Sequence, residues 1–83
     1  HAGLLYYRAK ALQGLGMLEV ARDTLTAALQ KKKDRSKDLL LSLKYQRALV
    51  YQAMGDEKNA RQDFQEIYAE SPDFEDVAAR LGL

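Results

Sequence analysis

Shifted along itself by 39 residues, the chain meets its own pattern again. Identical residues coincide at Leu4/Leu43, Tyr6/Tyr45, Arg8/Arg47, Ala9/Ala48, Gln13/Gln52, Gly16/Gly55, Ala21/Ala60 and Arg22/Arg61, among others. Similar residues lie between them, as at Leu12/Tyr51, Leu15/Met54 and Leu25/Phe64. A period of this size is the signature of a repeat architecture, in which each unit buries its apolar face against the next. Such scaffolds bind other macromolecules more often than they carry out chemistry.

The repeating units read as helices. Ala, Leu, Gln, Glu, Lys and Arg dominate, and the single proline is Pro72. No stretch alternates with period two for long enough to make a strand. The first helix is expected over about Gly3 to Leu15, with Leu4, Leu5, Ala9, Leu12 and Leu15 on one stripe. The second runs from about Leu18 to Lys33, with Leu18, Ala21, Leu25, Ala28 and Leu29. The third ends at Met54 and carries Leu39, Leu40, Leu43, Ala48 and Tyr51. The fourth runs to about Glu70 with Ala60, Phe64, Ile67 and Tyr68. Gly16 and Gly55 are placed for left-handed C-caps. Ser36 or Asp34 can cap the third helix and Asp56 the fourth. Asp73 is read as the cap of a last helix from Phe74 to Leu81.

These elements predict one all-α domain over residues 1–83, built from tandem antiparallel hairpins. Hairpin one covers about 3–33, a basic connection 34–36, and hairpin two about 37–70. A helix over about 74–83 either caps the array or opens a third repeat. Small residues at Ala9, Ala21, Ala48 and Ala60 let paired helices approach closely. The chain opens on His1 rather than methionine and is read as a piece of something longer.

Composition narrows the function. The apolar share is 47%, which argues against disorder, and the formal charge is +1, which gives no electrostatic reason to expect nucleic acid or an anionic membrane. Lys31–Lys37 is a basic run without interleaved aromatics, read as a solvated helix end matched to the dipole. There is no cysteine, and no run is long and apolar enough for a membrane helix. No signal peptide is legible, and a cytoplasmic location is expected. The only histidine is His1, and Gly14 and Gly16 do not follow a strand as a phosphate loop would. No enzyme activity, cofactor or metal site is expected. Asp73, Glu75 and Asp76 read as the start of a helix.

Taken in register, Ala48, Tyr51, Gly55-Asp56, Ala60, Phe64 and Pro72 resemble the tetratricopeptide repeat family. Ala9, Leu12, Gly16, Ala21, Leu25 and Ala28 repeat the match, and Val77–Gly82 is similar to the opening of a third unit. Four departures stand out. The period exceeds the family's usual ~34 residues, and the surplus is placed around Asp34 to Asp38. Lys33 stands where the first unit would have its proline. The large residue opening each first helix is weak, at Leu5 and Lys44. Arg8 and Arg47 replace a commonly apolar residue.

The resemblance implies a right-handed α-solenoid segment whose first helices line a concave groove for a peptide or a partner's helix. The groove positions it implies are Tyr6, Lys10, Gln13, Tyr45, Leu49, Gln52, Asp76 and Arg80. Tyrosine offers large contact area with a polar tip, and glutamine can both donate to and accept from a peptide backbone. The same tyrosines could instead pack between hairpins, with the glutamines simply solvated. In the family's receptors for carboxylate tails a clamp of lysine, asparagine and arginine occupies the groove. Only Arg80 agrees with it, which argues against that specificity. Arg8 and Arg47 are expected to pair with a carboxylate such as Asp23, Asp63 or Glu66. The partner is expected to be a protein or peptide. The alternative is a structural role: self-association, or packing on a missing domain, through apolar ends at Leu4 and Leu5 and at Phe74, Val77 and Leu81.

Overall fold

The computed structural model describes residues 2–83. His1 lies outside the described residues. Every regular element among the described residues is a helix: α1 (Ala2–Gly14), α2 (Leu18–Gln30), α3 (Lys37–Met54), α4 (Glu57–Glu70) and α5 (Val77–Arg80). None is long and apolar enough to cross a membrane.

The hairpin turns are made the same way twice. The Gly16 N–H donates to Gln13 O at 3.0 Å and the Met17 N–H reaches back to Leu12 O at 2.9 Å. Thirty-nine residues on, Gly55 donates to Gln52 O at 3.0 Å and Asp56 to Tyr51 O at 2.8 Å. Both glycines are left-handed, with φ of 78° and 82°. That conformation closes the last carbonyls of a helix and is strained for any side chain with a Cβ. The Asp56 carboxylate accepts from the Asn59 N–H at 3.3 Å and so caps α4. Ser36 Oγ accepts from the Leu39 N–H at 3.1 Å and caps α3, settling the choice between Ser36 and Asp34.

Packing runs from neighbour to neighbour. Helix α1 lies on α2 and α3, α2 on α3, α3 on α4, and α4 on α5. The result is a slab 31 × 31 × 17 Å. The four repeated alanines sit at the close approaches: Ala9, Ala21, Ala48 and Ala60 are at most 1% exposed. One apolar cluster joins Ala9, Ala21, Leu25, Ala28 and Leu29 to Leu43 and Val50. A second joins Leu41 and Ala48 to Ala60, Phe64, Ile67, Val77 and Leu81. Each of the large residues fully buried here removes enough apolar surface from water to stabilise the fold by about 1.5–3 kcal/mol.

Four expectations need correction. Leu4 and Leu15 were placed on the buried stripe of α1, yet they are 70% and 75% exposed. They face outward because no described element lies beyond that side of α1. On α3 the single expected stripe misses Leu41, Gln46 and Val50, all buried. This helix has neighbours on both flanks, so one stripe could not account for it. Helix α2 stops at Gln30 instead of Lys33. Leu29 is its last buried residue, and the Arg35 guanidinium turns back to donate to Ala28 O, so a further turn would bury nothing. Finally, the last helix begins at Val77 rather than Phe74. The Phe74 ring stacks edge-on against Tyr45 at 6.0 Å, and Glu75 takes a positive φ of 45°. Asp73 therefore caps nothing.

Arg47 ties three helices together. Its Nε and Nη2 donate to both carboxylate oxygens of Asp63 on α4 at 2.8 and 2.7 Å. Nη1 reaches Thr26 Oγ1 on α2 at 3.3 Å, and the guanidinium lies 5.7 Å from the Tyr51 ring centre. The hydrogen bonds it donates to Asp63 raise the guanidinium's already high pKa. Asp63 is only 4% exposed. Removing one member of such a buried pair leaves the other charge uncompensated. Asp63→Asn, which preserves volume, is expected to lower unfolding free energy by about 3–5 kcal/mol in chemical denaturation. Adding Arg47→Met should recover part of that loss.

Candidate functional site

The first helices of the two hairpins, α1 and α3, leave a groove closed at one end by the turn before α5. Its open cavity of about 400 Å³ is lined by Tyr6, Lys10, Gln13, Ser42, Tyr45, Gln46, Leu49, Phe74 and Glu75. Five of the positions named from the sequence thus meet in one place: Tyr6, Lys10, Gln13, Tyr45 and Leu49. Gln52 and Arg80 do not line it. They are bonded to each other, Arg80 Nη1 donating to Gln52 Oε1 at 2.9 Å. Ser42, Gln46, Phe74 and Glu75 were not foreseen. Gln46 is buried at 5% exposure and its amide donates to Gln13 Oε1, across the two hairpins. Its repeat mate is Tyr7, so the 39-residue pattern held no sign of it.

The two repeated tyrosines have different surroundings. Tyr45 is clasped by Phe64 and Phe74, with ring centres 5.9 and 6.0 Å away in edge-to-face geometry. Its hydroxyl donates to the Asp76 carboxylate. That carboxylate also accepts from Arg80 Nε at 3.0 Å. The chain Tyr45–Asp76–Arg80–Gln52 therefore holds the α5 turn against α3. Burial, and then the bond to Asp76, push the Tyr45 phenol above its ordinary range. Tyr6 packs in part on the first apolar cluster, edge-on to its neighbour Tyr7 at 5.4 Å, with the Lys10 ammonium 5.6 Å from its ring centre. Unlike Tyr45, it has no pair of phenylalanine rings around it. Lys10 brings one positive charge to the groove and Glu75 one negative charge.

The Arg8 half of the expected arginine pairing does not form. Asp23 turns instead to Arg22, with 3.0 Å between Nε and Oδ1. Arg8 is exposed and makes no ion pair among the described residues. The apolar ends also differ from expectation. Val77 and Leu81 are buried on α4 and Phe74 is half-buried, so exposed apolar surface gathers mainly on the α1 side, with Leu83 exposed at the other end. No group of three His, Cys, Asp or Glu side chains among the described residues converges as a metal site would require.

Three carboxyls are held below their ordinary values. For Asp76 the main cause is the Tyr45 hydroxyl, for Glu66 the Lys44 ammonium at 2.9 Å, and for Asp56 the Asn59 side chain. A carboxyl with a lowered native pKa stabilises the fold above its unfolded value and loses that contribution as pH falls. The melting temperature is therefore expected to hold at neutral pH and to drop as pH falls below about 4.5, the ordinary value for glutamate. Thermal melts across the acid range would check this, and Asp76→Asn should flatten part of the slope.

The family model described as T7SS, ESX-1 secretion system protein EccA1, N-terminal domain matches residues 1–81. No curated protein and no solved structure matches the chain. The family match overturns the assignment to the tetratricopeptide repeat family. The misleading signal has a physical origin. Alanines at close helix crossings and glycines at left-handed caps are what any tightly packed helical hairpin requires, so they report packing rather than descent. With residues 1–81 matched, the chain belongs to the family of EccA1 N-terminal domains from the ESX-1 secretion system.

Proposed function

We propose that the chain is a non-catalytic protein-interaction module of a secretion system, and that the α1–α3 groove receives a peptide or helix of a protein partner. The same reading puts it on the cytoplasmic side. The carrying observation is the groove itself. Two helices and a turn bring a tyrosine, two amide side chains, an aliphatic floor at Leu49 and one charge of each sign around one cavity. Gln13 accepts one bond from the buried Gln46 and keeps its own amide N–H groups for a peptide backbone. Tyr45 is already fixed by Phe64, Phe74 and Asp76, so a partner meets a surface that needs little ordering.

Tyr6 is the residue to remove, because Tyr45 also supports the fold. Tyr6→Ala is expected to leave the helical spectrum unchanged and to weaken partner binding by roughly 1–2 kcal/mol, about tenfold. Isothermal titration with the partner would measure it. Undiminished affinity would remove the groove from the mechanism.

A second reading rests on a separate observation. Leu4 and Tyr7 on α1, Leu15 and Met17 in the turn after it, and Val20 on α2 are 46–75% exposed. Such a row favours self-association or packing on another domain through this side. Sedimentation across a concentration range would then show a dimer that Tyr7→Glu disperses. A monomer at every concentration would count against self-association.

A further inference from the structure

The two hairpins carry the same arginine in opposite electrostatic settings. On the second hairpin, Arg47 and Lys44 face Asp63 and Glu66 on α4, and Glu70 follows one turn later. The residues 39 earlier are Thr24 and Ala27 on α2 and Lys31 just past its end. All three carboxylates have been removed, while the arginine remains as Arg8. The space is not filled by other atoms. An open cavity of about 400 Å³ lies there, lined by Leu5, Arg8, Thr24 and Ala27 and by two more cations, Lys31 and Arg35. No acidic residue lines it. Arg35 uses one nitrogen on Ala28 O, which fixes its guanidinium at the rim. The Thr24 hydroxyl is engaged with Val20 O at 2.8 Å and offers Arg8 no charge.

We infer that this cavity, on the α1–α2 side and separate from the groove, binds the carboxylates of an acidic segment of a partner protein. The chemistry follows from the repeat. At the equivalent place the arginine's fork is satisfied by a carboxylate presented from a helix, with both nitrogens within 2.8 Å. Arg8 has the same fork and no internal partner among the described residues. Lys31 and Arg35 add two charges that a second and third acidic residue would meet. Leu5 and Ala27 supply an apolar floor for the aliphatic stems.

The test is a chemical-shift titration of the protein with an oligoglutamate peptide capped at both ends, with inorganic phosphate in a parallel arm. The peptide is expected to shift resonances of Arg8, Thr24 and Lys31, more weakly as salt is raised. Arg8→Gln should weaken binding about tenfold or more, since it removes a charge-assisted bidentate contact. Thr24→Asp restores the carboxylate that Asp63 supplies on the second hairpin. It should fill the site from within and abolish binding while the fold is retained. Lys58→Gln and Arg61→Gln, both on the exposed face of α4, should leave peptide binding unchanged. Loss in the first pair of variants with retention in the second supports the inference. Equal binding by all four, loss through Lys58→Gln or Arg61→Gln alone, binding of phosphate without peptide, or no binding would each overturn it.

Discussion

Along α3, Leu43 and Val50 enter the cluster shared with the first hairpin, while Leu41 and Ala48 enter the one shared with the second. The helix is thus a wall common to two cores, and neither hairpin could keep its core without it. Arg47 sits on the same helix and extends this joining into the polar layer, reaching Asp63 on one side and Thr26 on the other. A buried guanidinium tolerates that position only with its hydrogen bonds made, so the pair sets how α4 and α2 lie against α3. The positions of the groove and of the cationic cavity both follow from this arrangement.

The groove side of α3 shows how one residue can serve structure and recognition together. Tyr45 is held by two aromatic rings and by Asp76, and through Asp76 it anchors the turn leading to α5. Tyr6, its counterpart on α1, packs in part on the first cluster and has no such clasp. The two matched tyrosines differ because Phe74 and Asp76 reach Tyr45, whereas the residues 39 earlier are Arg35 and Lys37.

Much of the fold was legible in the residues. The stripes on α2 and α4 named Ala21, Leu25, Ala28 and Leu29, and Ala60, Phe64 and Ile67, all buried. Each of these helices has one broad packed face, which is the situation periodicity describes. Helix α3 escaped that description because it has two. Helix α1 was over-read because one of its flanks has no described neighbour, so Leu4 and Leu15 are apolar yet exposed. In the candidate site, Tyr6, Lys10, Gln13, Tyr45 and Leu49 were positions that the repeat resemblance implied, and they line one cavity. Ser42, Gln46, Phe74 and Glu75 were not among them, since Phe74 and Glu75 enter on an irregular turn and Gln46 is turned inward by Gln13. The family was misread for a related reason: alanine and glycine spacing records hairpin geometry, which unrelated families share.

By itself the sequence determined the number of long helices, their left-handed glycine ends and the alanines at their crossings. These depend on local backbone preference and on side-chain size, both written residue by residue. Only the tertiary structure decided which of two matched residues becomes a support and which does not. Tyr45 against Tyr6 and Arg47 against Arg8 are pairs of identical side chains, and their roles differ through neighbours brought from elsewhere in the chain. Phe74 and Asp76 are supplied to one tyrosine and Asp63 to one arginine. An ion pair or an aromatic clasp is a property of two positions in space, and it exists only once the helices have docked.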